Sequence, residues 1–205
     1  MSYSRLLTYG DVIPLKIECD TDRLREEIKD FEFKQYNPRK PIPRYGLSIT
    51  SLKGGLDGID LDSITEYNKE NNVKYDEMTF KTLTDVYYKS PELQKVVDPF
   101  KEHLGRSHIL YLPPGGYFPP HRDLPVFSDQ QKSMRILIPL KDCNPPGLYF
   151  IYDGQILNFE HGRAYFVNTN KTHSLVSYLW SYMVVLNVAS NDITHKIIGD
   201  NFLHS

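Results

Sequence analysis

Tyr111-Leu-Pro-Pro-Gly-Gly-Tyr-Phe-Pro-Pro-His121-Arg-Asp123 runs from a short apolar strand through a Pro-Gly turn into a second strand that ends in a His-x-Asp pair. Pro sets φ for the first turn position and Gly accepts the positive φ of the next, so Pro114-Gly115 reads as a tight reversal. The same pattern continues downstream. Short apolar runs over 108–112, 118–123, 134–140, 148–152, 155–158, 163–167, 173–177 and 182–188 read as eight strands. Asn144-Pro-Pro-Gly147, Asp153-Gly154, His161-Gly162 and Asn168-Thr-Asn-Lys171 separate them, and Asp153-Gly154 is a hairpin signal. Eight short strands with such turns predict a double-sheet jelly roll or a related barrel.

Upstream the signals are mixed. Val12, Ile13, Leu15 and Ile17 predict a strand. Asp20 or Thr21 is placed to cap a helix running to about residue 31, and residues 45–52 predict another strand stopped by Gly54-Gly55. Ser90 and Pro91 start a helix over 91–104, with Leu93, Val96, Val97, Phe100 and Leu104 on one face and Gly105 beyond its end. Residues 56–90 are polar and weakly periodic, the character of a long functional connection. The expectation is one domain over 1–205. It is mainly β, with the helices of 1–105 packed outside one sheet, and 205 residues are enough to bury a core.

The chemistry is concentrated at His121-Arg-Asp123. In a strand, residues i and i+2 face the same side, so His121 and Asp123 approach one point while Arg122 turns away. His173, at the start of a later strand, supplies a third donor. Two imidazoles and a carboxylate on one triangular face leave three positions open on a six-coordinate ion, the arrangement of non-haem Fe(II) oxygenases. A His-x-Asp pair alone is common, and a solvated strand-end His beside a turn-capping Asp also explains it. His103, His108, His161, His195 and His204 show no ligand spacing.

A net charge of −2 gives no basic surface for nucleic acid. The first residues lack the apolar core of a signal peptide, and no run approaches membrane-span length. Cys19 and Cys143 lack C-x-x-C spacing and read as free thiols, so the expected setting is cytoplasmic.

The ordered set Tyr111-Leu-Pro-Pro-Gly115, His121-Arg-Asp123, Met134-Arg-Ile-Leu-Ile-Pro-Leu140, Gly162-Arg-Ala-Tyr-Phe-Val-Asn168 and His173-Ser-Leu-Val-Ser177 resembles the Fe(II)/2-oxoglutarate-dependent oxygenases. Within them it is most similar to the aspartyl/asparaginyl β-hydroxylase and proline hydroxylase branch. The resemblance covers about the C-terminal half and implies a double-stranded β-helix core, a cupin-like jelly roll, over 106–190. It implies Fe(II) held by His121, Asp123 and His173, with 2-oxoglutarate and dioxygen as co-substrates. It also implies hydroxylation of an unactivated C–H bond in an amino acid, free or in a peptide. Many members anchor the far carboxylate of 2-oxoglutarate with an Arg about ten residues after the second His. Here no Arg or Lys occurs between Ser174 and Asp192. Arg135, the only charge in an apolar strand, is the replacement this implies, with Tyr111 as a second donor. A structural ion pair for Arg135, and simple packing for Tyr111, explain the same residues. A cupin-like module that binds a metal or small ligand without turnover is the alternative reading. Residues 56–90 and 124–132 are the expected substrate-facing loops, with Tyr117 and Phe118 at the cavity rim.

Overall fold

The computed structural model describes residues 2–123 and 133–203. Its strands, in sequence order, begin with β1 (Val12–Glu18), β2 (Lys34–Gln35), β3 (Tyr45–Ser48), β4 (Thr50–Ser51) and β5 (Thr82–Leu83). Then follow β6 (His108–Leu112), β7 (Tyr117–His121), β8 (Ser133–Lys141), β9 (Leu148–Tyr152), β10 (Gln155–Leu157), β11 (Arg163–Val167), β12 (His173–Ser177) and β13 (Ser181–Ala189). The helices are α1 (Tyr3–Leu7), α2 (Thr21–Ile28), α3 (Ile64–Asn71), α4 (Asp85–Tyr88), α5 (Pro91–Val97) and α6 (Asp192–Asp200). This is a mixed α/β fold with several antiparallel sheets.

A seven-stranded sheet has the order β1-β11-β8-β13-β6-β3-β2, and a four-stranded sheet the order β10-β9-β12-β7. Alternation along β8 shows how the two faces of the large sheet are used. Met134, Ile136, Ile138 and Leu140 enter one core with Leu24, Leu93, Val96, Phe100 and Leu15. Leu137 enters a second core, with Leu148, Phe150 and Leu175 of the small sheet. One face of the large sheet therefore packs on the helices and the other on the small sheet. Arg135 shares the Leu137 face and so points into the space between the sheets.

Local signals explain the elements. The Asp20 carboxylate accepts from the amides of Asp22 and Arg23 and caps α2. Asp153 and Gly154 both take positive φ, the requirement of the two-residue turn that joins β9 to β10. Gly115, at φ +84°, sits after Pro114, and the Gly116 amide closes the turn onto the Pro113 carbonyl at 2.8 Å.

Three expectations change. The helix over 91–104 is α-helical only to Val97 and continues as a 3₁₀ segment, Asp98–His103, because Pro99 has no amide to continue the ladder. The strand over 45–52 breaks at Ile49, where Ser107 O receives the amides of both Ile49 and Thr50, and β4 leaves to pair with β5. Residues 56–90 carry a 3₁₀ turn (Ile59–Leu61), α3, β5 and α4 rather than an unstructured connection. The segment 124–132 and His204 lie outside the described residues. Among those described, no helix is long and apolar enough to cross a membrane.

Candidate metal centre

His121 ends β7, and His173 begins β12. The two are direct cross-strand partners, with ring centroids 4.3 Å apart. Asp123 lies just past β7, where its amide donates to Thr169 O at 2.9 Å. Donor atoms of His121, Asp123 and His173 all lie within 4.8 Å of one another.

Both imidazoles are held by backbone carbonyls. His121 Nδ1 lies 2.7 Å from Pro119 O, and His173 Nδ1 lies 3.0 Å from Lys171 O. Each contact places the ring proton on Nδ1 and leaves Nε2 as the lone-pair donor toward the centre. His121 Nε2 is 3.6 Å from Asp123 Oδ1. Burial pushes the His173 imidazole below its usual pKa, which favours the neutral form a metal requires. Burial works to raise the Asp123 pKa, but opposing influences, the Arg135 guanidinium the largest, hold the carboxyl below its ordinary value. The centre thus offers two imidazole nitrogens and one carboxylate, a donor set that fits Fe(II) with open positions.

β7 carries an irregularity that sequence spacing does not reveal. His121 pairs with His173 and Phe118 with Leu175, so Pro119 and Pro120 together oppose Ser174 alone. Two residues against one is a β-bulge. In an unbroken strand Phe118 and His121 would face opposite sides. The bulge restores them to one side, and their rings stack at 6.2 Å.

The centre opens into a cavity of about 500 Å³ between the sheets. Leu110, Leu137, Phe150, Leu175 and Met183 give it an apolar floor. Residues upstream of β6 supply much of the polar wall, including Tyr36, Arg44, Glu77 and Arg106. From the segment 56–90, Asp62, Ser63, Ile64, Thr65 and Glu77 also line it. Phe118 reaches the cavity, whereas Tyr117 is absent from its lining.

Arg135 lines the cavity beside the centre. Its Nε is 3.2 Å from Asp123 Oδ2, a second guanidinium nitrogen is 4.0 Å from Glu77 Oε2, and it also donates to Asn187 Oδ1. It is engaged by acidic and amide partners on several sides. Tyr111 does not reach the site, which corrects the expectation for this residue. His108, Leu110 and Leu112 of β6 face the small sheet, so alternation turns Tyr111 to the other side. There it stacks on Tyr182 at 4.6 Å and meets Phe33 and Tyr45.

Sequence reasoning missed Arg44, Tyr36, Glu77 and His108 as cavity residues. The readable signal is faint: Arg44 is a charge set between Pro43 and an apolar strand. His108 is buried, and its Nδ1 has no hydrogen-bond partner. Burial, then the Arg106 and Arg135 charges, push its pKa down to about 3 from 6.5. The unfolded chain therefore takes up a proton at this position that the folded protein refuses, and stability falls as pH drops from about 6.5 toward 3. Denaturation midpoints of the metal-free protein measured near pH 7 and pH 5 should fall more for wild type than for His108→Gln. Equal falls would mean that His108 is not a buried neutral imidazole.

No family model matches the chain, and no curated protein matches it. Solved structures overlap with it loosely. One is an oxidoreductase of the 2OG-Fe(II) oxygenase family from Burkholderia pseudomallei, 12% identical over 91% of this chain and 88% of that one, with a TM-score of 0.48. Another is a Pseudomonas putida prolyl-4-hydroxylase, 13% identical over 90% and 95%, with a TM-score of 0.46. A third is a predicted oxalate decarboxylase from Thermotoga maritima, 13% identical over 45% and 73%, with a TM-score of 0.32.

Proposed function

We propose that the protein is a non-haem Fe(II) oxygenase that uses 2-oxoglutarate to hydroxylate a C–H bond of a small molecule or peptide, an amino acid in either case. The observation that carries this reading is the donor group itself: His121, Asp123 and His173 converge within 4.8 Å at the edge of the cavity between the sheets. The strand order supports it. Counted from β6, the eight strands form one sheet ordered first-eighth-third-sixth and another ordered fifth-fourth-seventh-second, as in a double-stranded β-helix.

Fe(II) bound there would supply dioxygen activation, with 2-oxoglutarate converted to succinate and carbon dioxide as one oxygen atom enters substrate. The protein's own residues do the rest. Pro119 O and Lys171 O fix the two imidazoles, and Arg135 keeps Asp123 ionised as a ligand. Arg135 is the residue proposed to receive the far carboxylate of 2-oxoglutarate, by exchanging part of its pairing to Glu77 for the ligand.

The test is succinate formation that requires both iron and 2-oxoglutarate. Arg135→Ala is expected to abolish 2-oxoglutarate binding to the metal-loaded protein, measured by calorimetry. Succinate formed without added iron sinks the reading. A second reading has its own observation. Arg135 already has Asp123, Glu77 and Asn187 as partners, which suits a cupin-like metal-binding module without turnover. That reading predicts tight metal binding with no response to 2-oxoglutarate.

A further inference from the structure

Four of the described arginines show pKa values raised by pairing with acids: Arg39, Arg106, Arg135 and Arg163. Arg44 is the opposite. It is only 4% exposed, yet no salt bridge reaches it among the described residues, and burial pulls its pKa below the ordinary value. Its hydrogen bond from Nη1 to Tyr117 O is a long contact at 3.4 Å, and its Nε is buried without a partner. A buried, uncompensated guanidinium is costly, and a native fold keeps one where an anion will meet it.

Its surroundings are shaped for that encounter. The guanidinium lies 4.4 Å from the Phe118 ring centroid and 5.4 Å from that of Tyr36, which hold its plane without neutralising its charge. Phe118 in turn stacks on His121, so one aromatic ring separates Arg44 from the metal centre. Arg44 lines the same cavity as the three ligands. Arg135, by contrast, is paired with Asp123, itself one of the three ligands.

We propose that the molecule oxidised in this cavity carries a free carboxylate and that Arg44 receives it, an inference that rests on the oxygenase reading above. Arg44 Nε is sealed from solvent, so the carboxylate meets the guanidinium at its Nη end, where a planar carboxylate can accept two parallel hydrogen bonds. The substrate then brings a carboxylate of its own, and a neutral amide does not serve at that position.

The test follows the Arg44 Nε–H resonance of the ¹⁵N-labelled, Zn(II)-loaded full-length protein, assigned by its loss in Arg44→Lys. Should that variant not fold, Phe118→Leu identifies the same resonance by removing the ring beneath it. Acetate is expected to shift the resonance saturably, and neutral acetamide to act about tenfold more weakly or less. With 2-oxoglutarate bound, the Arg135 resonances should have moved and Arg44 should still respond to acetate. An Arg44 resonance that ignores acetate overturns the proposal. So does one that 2-oxoglutarate alone shifts and thereby closes to acetate, since the carboxylate received would be the co-substrate's. If Zn(II) fails to move the His121 and His173 ring resonances, the oxygenase reading falls, while the acetate and acetamide titrations still decide the role of Arg44.

Discussion

Asp123→Ala is expected to lose iron and stability together, whereas His121→Ala loses iron and keeps most of its stability. Each substitution removes one of three donors, so each should weaken Fe(II) binding by about a hundredfold or more. The difference lies in what is left behind. Removing the carboxylate strips Arg135 of its 3.2 Å partner, with Glu77 at 4.0 Å and Asn187 as the remainder. Losing one side of a buried pair costs about 3–5 kcal/mol, because the other charge stays buried. The partners that remain reduce this to about 2 kcal/mol. The His121 side chain is 36% exposed, and its loss strands no charge. Urea denaturation of both variants without metal decides the matter. The Asp123 contribution comes from a depressed carboxyl pKa, so it is present above the ordinary carboxylate range and fades as acid protonates the group. Equal midpoints for the two variants at neutral pH would show that the Arg135 pair adds nothing to folding.

Phe150→Ala is expected to cost about 3–5 kcal/mol. Phe150 is 2% exposed and belongs to the core that joins the two sheets. Its ring meets Phe159 edge-on at 5.6 Å and lies parallel to the His173 imidazole at 6.1 Å. Truncation removes apolar burial and leaves a void, and that void opens into the cavity already present. It also frees one side of His173, leaving the Lys171 carbonyl and the His121 ring to hold it. Iron affinity should therefore fall as well, by about tenfold, in the range for residues that orient ligands. A loss below about 1 kcal/mol would mean that the sheets are held together elsewhere.

Much of this architecture is legible in the sequence, for identifiable reasons. The strands over 108–112, 148–152, 163–167 and 173–177 match the structure end to end, because each is an apolar run closed by turn residues. The His-x-Asp pair and His173 can be read because donors two residues apart stay close to one point even where, as here, Asp123 falls just past the end of β7. The cavity's polar wall cannot. Arg44, Tyr36 and Glu77 come from segments whose local pattern says nothing about which sheet face they will meet. The side that Tyr111 takes depends on the phase of β6 against the helices, and an apolar strand buried on both faces does not declare its phase. The companionship of Phe118 and His121 is hidden too, since a spacing of three makes sense only with the bulge.

That bulge bears on how the molecule behaves in company. β7 is the outer strand of the small sheet, with β12 on one flank and, among the described residues, no strand on the other. Neither Pro119 nor Pro120 carries an amide hydrogen, so this bulged stretch of the edge offers no backbone donor to an incoming strand. An outer strand with a complete row of amides invites a foreign strand to zip onto it, and prolines and bulges are how sheets decline. Pro119 and Pro120 thus guard the protein against edge-to-edge aggregation at the strand that carries His121.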